Sequence, residues 1–267
     1  MNRRSDPTES RGRDTLAWRV YAVTRSAGCW ALLSLFTLIV GALHIPGSLI
    51  APEGRFPRAL EMAYMWAILR ASNVKLTADG LEHVERGRSY IVMANHRSMY
   101  DIPVLHYLLG RDRDLRWIGK QEVLRVPVFG WAYRVSRHVA IDRENRAAAI
   151  DTLKRAAAES RAGVSFVIMP EGTRSTTGEL LPFKRGGFHL ALDTGLPILP
   201  VAILGSDALM RKGSWHILPG AIHVSVRPVV EMRGLGRENI DALLEGVRSA
   251  ISAGLAESSH RSERRVP

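Results

Sequence analysis

From Ser26 to Pro52 the chain carries no Asp, Glu, Lys or Arg. Few other stretches restrict its fate as much. The run Ala27–Leu43 reads AGCWALLSLFTLIVGAL. As a helix it is about 26 Å long, close to the ~30 Å hydrocarbon core of a bilayer. A cleaved leader would have a shorter apolar region followed by a small-residue cleavage site. Here His44-Ile45-Pro46-Gly47 follows instead. Ahead of the run, residues 1–25 form a polar tail with Arg3, Arg4, Arg11, Arg13, Arg19 and Arg25. Behind it, Ala59–Ala71 is a second apolar segment, too short to span and interrupted by Glu61. Leu60, Tyr64, Ala67, Ile68 and Ala71 recur at helical spacing there. They suit a helix at the membrane interface or packed on the first one, or a core helix of the domain that follows. Pro46, Gly47, Pro52, Gly54 and Pro57 punctuate the join. Residues 26–72 are thus expected to anchor the chain in a membrane, as one spanning helix or as a two-helix hairpin dipping into one leaflet. Arg residues flank both sides, so the positive-inside rule does not choose an orientation.

After Asn73 the pattern changes. Short β-like runs (Val74–Ala78, Tyr90–Ala94, Leu115–Ile118, His138–Ile141, Val164–Met169, Ile198–Leu204, Ile222–Val230) alternate with helical ones. The helical runs are Tyr100–Leu109, Trp131–Ser136, Asn145–Arg161, Gly187–Asp193 and Glu238–Leu255. This alternation predicts an α/β domain over residues 73–256, a mixed, largely parallel sheet flanked by helices. Val164–Met169 is apolar throughout except for Ser165, as a central strand should be. Residues 257–267 read as a solvated tail.

Hydrophobic residues make up 46% of the 267 and charged residues 24%, which excludes disorder for the bulk of the chain. The net charge of +11 points to anionic partners. The basic residues are nearly all Arg; the Lys are Lys75, Lys120, Lys154, Lys184 and Lys212. Nucleic acid is not the expected partner, since no recognition-helix motif, aromatic RNP-like block or zinc knuckle is present. Cys29 is the only cysteine, so neither an intramolecular disulfide nor a Cys-based zinc site is possible. The nine His lack metal-ligand spacing and HEXXH is absent, so no metal is expected.

Two clusters carry chemistry. In Asn95-His96-Arg97-Ser98-Met99-Tyr100-Asp101, His96 directly follows a β-like run and precedes a helical one. Ligands bind at such strand ends in open α/β sheets. A carboxylate behind a histidine makes a general-base pair. Asp101 before Ile102-Pro103 is equally what a helix cap looks like. In Pro170-Glu171-Gly172-Thr173-Arg174-Ser175, glycine allows close backbone approach, the hydroxyls donate, and Arg174 offers a fork for phosphate. Alternatively, Glu171 and Arg174 pair with each other in a surface turn. Phe183-Lys184-Arg185-Gly186-Gly187 places further basic groups before a helical run, where an anion is favoured.

Taken together, these blocks resemble the glycerolipid acyltransferases. NHRSMYD resembles their NHx4D block and PEGTRS their acceptor block. Gly119-Lys120-Gln121-Glu122-Val123 through Gly130, with Val139-Ala140-Ile141-Asp142-Arg143, looks like the intervening segment, and Leu196–Val201 like the fourth block. Met169 stands where Phe is common. In size and layout the chain is similar to the bacterial 1-acyl-sn-glycerol-3-phosphate acyltransferases. The resemblance implies a single glycerol-phosphate-acyltransferase-like domain behind a membrane anchor on the cytoplasmic side of the inner membrane. It implies acyl transfer from acyl-CoA or acyl carrier protein, as co-substrates and without a cofactor, to a lysophospholipid hydroxyl. His96 would be the base and Asp101 its orienting partner. Asn95, Ser98, Lys120, Glu171, Gly172, Thr173, Arg174 and Lys184 would hold the acceptor, and backbone N–H groups near Gly172 the oxyanion. Arg134, Arg137 and Arg185 would meet carrier protein, coenzyme A phosphates or an anionic membrane surface. Another acceptor, such as a lyso-ornithine lipid, would use the same blocks. A hydrolase could use the same His96–Asp101 pair to activate water, but would usually want a metal or a nucleophile, and no GxSxG is present. A non-enzymatic lipid-binding module would explain the charge and the anchor but not the ordered blocks.

Overall fold

A computed structural model describes residues 15–142, 144–158 and 163–263. Arg3, Arg4, Arg11, Arg13, Arg143 and the end of the Asn145–Arg161 helical run lie outside the described residues.

The apolar run is part of a longer helix, α1 (Leu16–Ile50), capped by Thr15 Oγ1, which accepts from the Trp18 N–H at 3.2 Å. The helix therefore begins within the expected polar tail. It also continues past Leu43 with Pro46 inside it. A proline there removes one N–H from the helix ladder. The buried His44 and Ser48 hold the final turns against the protein, so that loss is tolerated. A turn at Ala51–Gly54 leads back into α2 (Arg55–Ala71), making an antiparallel hairpin. Ala22, Ser26, Cys29, Leu33, Gly41, His44 and Ser48 form one buried stripe along α1. On the other face Leu32, Leu35, Leu38, Ile39 and Leu43 are exposed. Helix α1 is long and apolar enough to cross a membrane.

Seven strands form one sheet in the order β1-β7-β6-β2-β5-β3-β4. They are β1 (Val74–Asp79), β2 (Ile91–Ala94), β3 (Asp114–Lys120), β4 (Val139–Ile141), β5 (Val164–Ile168), β6 (Ile198–Leu204) and β7 (Gly220–Val226). All neighbours are parallel except β6 and β7, so the sheet is mixed and largely parallel as expected. The helices between them are α3 (Asp101–Leu109), α4 (Phe129–Val135), α5 (Arg146–Ala158), α6 (Gly186–Thr194), the short α7 (Ser206–Leu209) and α8 (Ile240–Glu263). Helix α8 runs on past Leu255 with Ser258 buried, so residues 257–263 are helix rather than tail.

Strands β2 and β5 are buried at every position, as parallel strands covered on both faces must be. Their side chains alternate between two cores. Tyr90, Val92 and Val167 face a core with Leu105 and Leu109 of α3 and Leu33 of α1. Ile91, Met93 and Phe166 face Phe188 of α6 and Val247 and Ile251 of α8. Because β2, β3, β5 and β6 are mutually parallel, their carboxyl ends share one edge. His96 and Glu171–Arg174 lie just after β2 and β5 at that edge, and Lys120 is the last residue of β3.

Candidate active site

Asp101 is the first residue of α3 and is completely buried. Its Oδ2 accepts three hydrogen bonds: from His96 Nδ1 (2.8 Å), the Arg97 N–H (2.8 Å) and the Ser98 N–H (2.9 Å). A buried carboxylate is costly without such donors. Asp101 is therefore both the organiser of the turn after β2 and the partner of His96. It does not cap α3, since both backbone donors precede the helix. With Nδ1 donating to Asp101, Nε2 is the nitrogen left to act as a base, and His96 lines the cavity described below.

Other first-block residues work as brackets. Asn95 is buried; its Nδ2 donates to Ile203 O (2.9 Å) and its Oδ1 accepts from Ile203 N (2.7 Å), mimicking one rung of a β-ladder to β6. Buried Ser98 donates from Oγ to Met210 O at 2.8 Å. Both are expected above to touch the acceptor; here their polar atoms bond to the protein. Glu171 bonds to the protein likewise. Its Oε1 accepts from the His96 N–H (2.7 Å) and its Oε2 from the Leu181 N–H (2.8 Å), so it clamps the two blocks together. Burial pushes its carboxyl up from the usual range, opposed by the bonds from the Leu181 and His96 N–H groups. It makes no ion pair with Arg174 among the described residues. The Gly172 N–H, expected near the oxyanion, is donated to Met169 O at 2.9 Å.

Thr173, Arg174, Lys120 and the backbone of Gly172 line the cavity beside His96. Gly172 has φ +73°, the left-handed region that glycine favours. The Lys184 side chain lies across the space where a Cβ would stand, which brings Lys184 to the site without lining the cavity. One residue was missed in the sequence. Lys212 also lines the cavity, and its Nζ donates to Thr173 Oγ1 (3.1 Å) and Arg174 O (3.0 Å). The Ser98–Met210 bond holds its loop against the first block. A signal existed: in so Arg-dominated a chain, three of the five Lys gather at one place. Arg185 instead pairs with Asp241 (2.6 Å) and Arg137 with Glu53 (2.6 Å), both on the surface.

The cavity holds about 610 Å³ and is mostly apolar away from this cationic mouth. Leu33 and Val40 of α1, Met65 and Ile68 of α2, Ile102 of α3 and Phe129 of α4 contribute walls. The helical hairpin is thus one side of the site.

Comparison with known proteins bears on the family. Residues 75–204 match the family described as Acyltransferase. A 1-acyl-sn-glycerol-3-phosphate acyltransferase of Cocos nucifera is 31% identical over 245 residues, covering 90% of this chain and 77% of that protein. One of Pseudomonas aeruginosa is 31% identical over 196 residues, covering 73% and 74%. The crystal structure of the 1-acyl-sn-glycerophosphate (LPA) acyltransferase PlsC from Thermotoga maritima superposes with a TM-score of 0.77 at 25% identity, covering 90% of this chain and 97% of that one.

Proposed function

The chain belongs to the 1-acyl-sn-glycerol-3-phosphate acyltransferase family and is an O-acyltransferase; from that premise we propose how its own residues carry out the reaction. The acceptor is 1-acyl-sn-glycerol-3-phosphate and the product phosphatidic acid, for phospholipid synthesis. The donor is an acyl thioester of coenzyme A or acyl carrier protein, and no cofactor takes part. A thioester is already an activated acyl group, so the acceptor hydroxyl attacks it directly. His96 Nε2 takes the hydroxyl proton as the new C–O bond forms. The tetrahedral intermediate collapses, the C–S bond breaks, and the departing sulfur receives the proton back from the imidazolium. Asp101 fixes the tautomer and stabilises that imidazolium. A positioned base contributes about 10²–10⁴-fold, and alignment of the two substrates supplies much of the remainder.

The single observation that carries this reading is the His96 Nδ1–Asp101 Oδ2 bond of 2.8 Å at the mouth of a long apolar cavity. Arg174, Lys120 and Lys212 form the phosphate cradle, with Thr173 beside them. Arg174 is the strongest candidate ligand: it faces the cavity, and its guanidinium has no protein partner among the described residues. Acyl chains occupy the apolar part.

The hairpin of α1 and α2 lies in one leaflet of the inner membrane, with the α/β domain on its cytoplasmic side. The support is the buried stripe of α1, which runs from Ala22 to Ser48. A helix packed on the domain over that length cannot leave it to cross the bilayer. Its outward apolar face then meets lipid while the cavity opens beside it. The test uses purified, detergent-solubilised protein with palmitoyl-CoA and a panel of lysophospholipids, alongside His96→Ala. Phosphatidic acid made by wild type and not by the folded variant is the expected result. Full turnover by the variant would refute the base assignment, and product from another acceptor alone would change the substrate.

A further inference from the structure

The cavity has a second polar end that the mechanism does not use. Its length is set out along α1. Trp30, whose Nε1 donates to Trp215 O at 2.7 Å, marks the end near Lys212, and His44 marks the other. At 1.5 Å per residue the step from Trp30 to His44 is about 21 Å along α1.

At the His44 end a carboxylate stands in the wall. Glu61, which in the sequence merely interrupts an apolar run, points inward from α2. Its Oε1 accepts from His44 Nε2 (2.9 Å) and Ser136 Oγ (2.8 Å). Its Oε2 accepts no hydrogen bond among the described residues; His106 Nε2 stands 3.6 Å from it, too long for a good one. The surrounding imidazoles have assigned roles. His106 Nδ1 accepts from Trp117 Nε1 (3.1 Å) and His138 Nδ1 from the Trp117 N–H (3.3 Å), so each carries its own proton on Nε2. Burial pushes Glu61 up, but the bond from His44 and the potentials of His138, His106 and His44 outweigh it and bring it to about 2. Burial pushes His106 down and His138 down to about 4. All five side chains, His44, Glu61, His106, Ser136 and His138, line the cavity. No group among the described residues has the arrangement of a metal site.

An ionised oxygen with spare acceptor capacity is a poor neighbour for a terminal methyl. The methyl displaces whatever solvates Oε2 and returns no bond. A hydroxyl returns one. We propose that the Glu61 end of the cavity is a subsite for a hydroxyl near the distal end of the acyl chain, so that hydroxylated long-chain acyl thioesters are preferred over plain chains of equal length. The proposal rests on the reading that the cavity holds the acyl group. It assigns Glu61 Oε2 as the acceptor and leaves the reaction at His96 unchanged.

The test compares kcat/KM for palmitoyl thioester with that for chain-length-matched thioesters hydroxylated at the ω-carbon and at successive positions back from it. Each is presented on coenzyme A and on acyl carrier protein, with one lysophosphatidic acid acceptor. At the position that reaches Glu61, the hydroxylated donor should be favoured about tenfold or more, the range expected of a hydrogen bond to a charged acceptor. Glu61→Leu should abolish or reverse that preference. A plain chain favoured at every position, or a preference that survives Glu61→Leu, overturns the proposal. If Glu61→Leu does not fold, the wild-type comparison decides alone. Failure to transfer any acyl group from either carrier would instead overturn the acyl-cavity reading, and this subsite with it.

Discussion

Replacing Asp101 by Asn changes one atom and removes one charge, and the structure says what should follow. Oδ2 accepts from His96 Nδ1, the Arg97 N–H and the Ser98 N–H, at 2.8, 2.8 and 2.9 Å. In Asp101→Asn the amide oxygen can still serve the two backbone donors, so the turn after β2 survives with weaker, neutral bonds. The expected cost is about 1–3 kcal/mol of stability. His96 fares worse. It loses the negative charge that stabilises its imidazolium, and the amide oxygen left to serve the two backbone donors is a weaker, neutral acceptor for Nδ1. In hydrolase triads the same exchange lowers kcat about 10⁴-fold. Here, with proximity and the phosphate cradle intact, kcat should fall about 10³–10⁴-fold while the acceptor KM moves less than about threefold. Thiol release from palmitoyl-CoA, followed colorimetrically with lysophosphatidic acid, measures both; circular dichroism on heating measures stability. A folded variant that keeps more than a tenth of wild-type kcat would refute the base-pair argument and leave Asp101 as an organiser of the turn.

Glu171→Gln leaves one of the His96 and Leu181 N–H groups facing an amide N–H, so stability should fall about 1–3 kcal/mol and kcat with it; a raised acceptor KM at unchanged kcat would show instead that Glu171 binds substrate. Gly172→Ala forces a Cβ into left-handed backbone and against Lys184. It should cost about 1–2 kcal/mol and raise the acceptor KM, and an unshifted melting temperature would contradict that. His138 is held at about 4 from an ordinary 6.5 by burial. Below pH 6.5 the unfolded chain therefore binds a proton that the folded one refuses, and stability falls as pH drops toward 4. Between pH 7 and 5 the loss from His138 is about 2 kcal/mol, and His106, lowered the same way, adds to it. A urea midpoint in detergent that stays constant over this range would refute a neutral, buried His138.

Much of this molecule was legible one residue at a time. The alternation of apolar runs placed all seven strands, because side-chain burial in a strand or helix follows local periodicity. His96 and Asp101 were legible because the turn that joins them is only five residues long. The anchor was legible as an uncharged run, yet its ends were not, since tertiary contacts at His44 and Ser48 carry α1 past the proline. Roles that depend on what arrives from elsewhere were hidden. The bonds of Asn95 to β6 and of Ser98 to Met210 are invisible in the first block alone. So is the clamp that Glu171 makes with backbone donors from two distant segments. Lys212 belonged to no motif, because the bond that brings it to Thr173 spans 39 positions. Glu61 looked like a flaw in an apolar helix until His44, His106, Ser136 and His138 closed around it. The sequence by itself indicated the elements, the family and the closeness of His96 to Asp101. Only the tertiary structure decided which polar groups remain free for substrate, because a hydrogen bond can be assigned only when both its partners are in place.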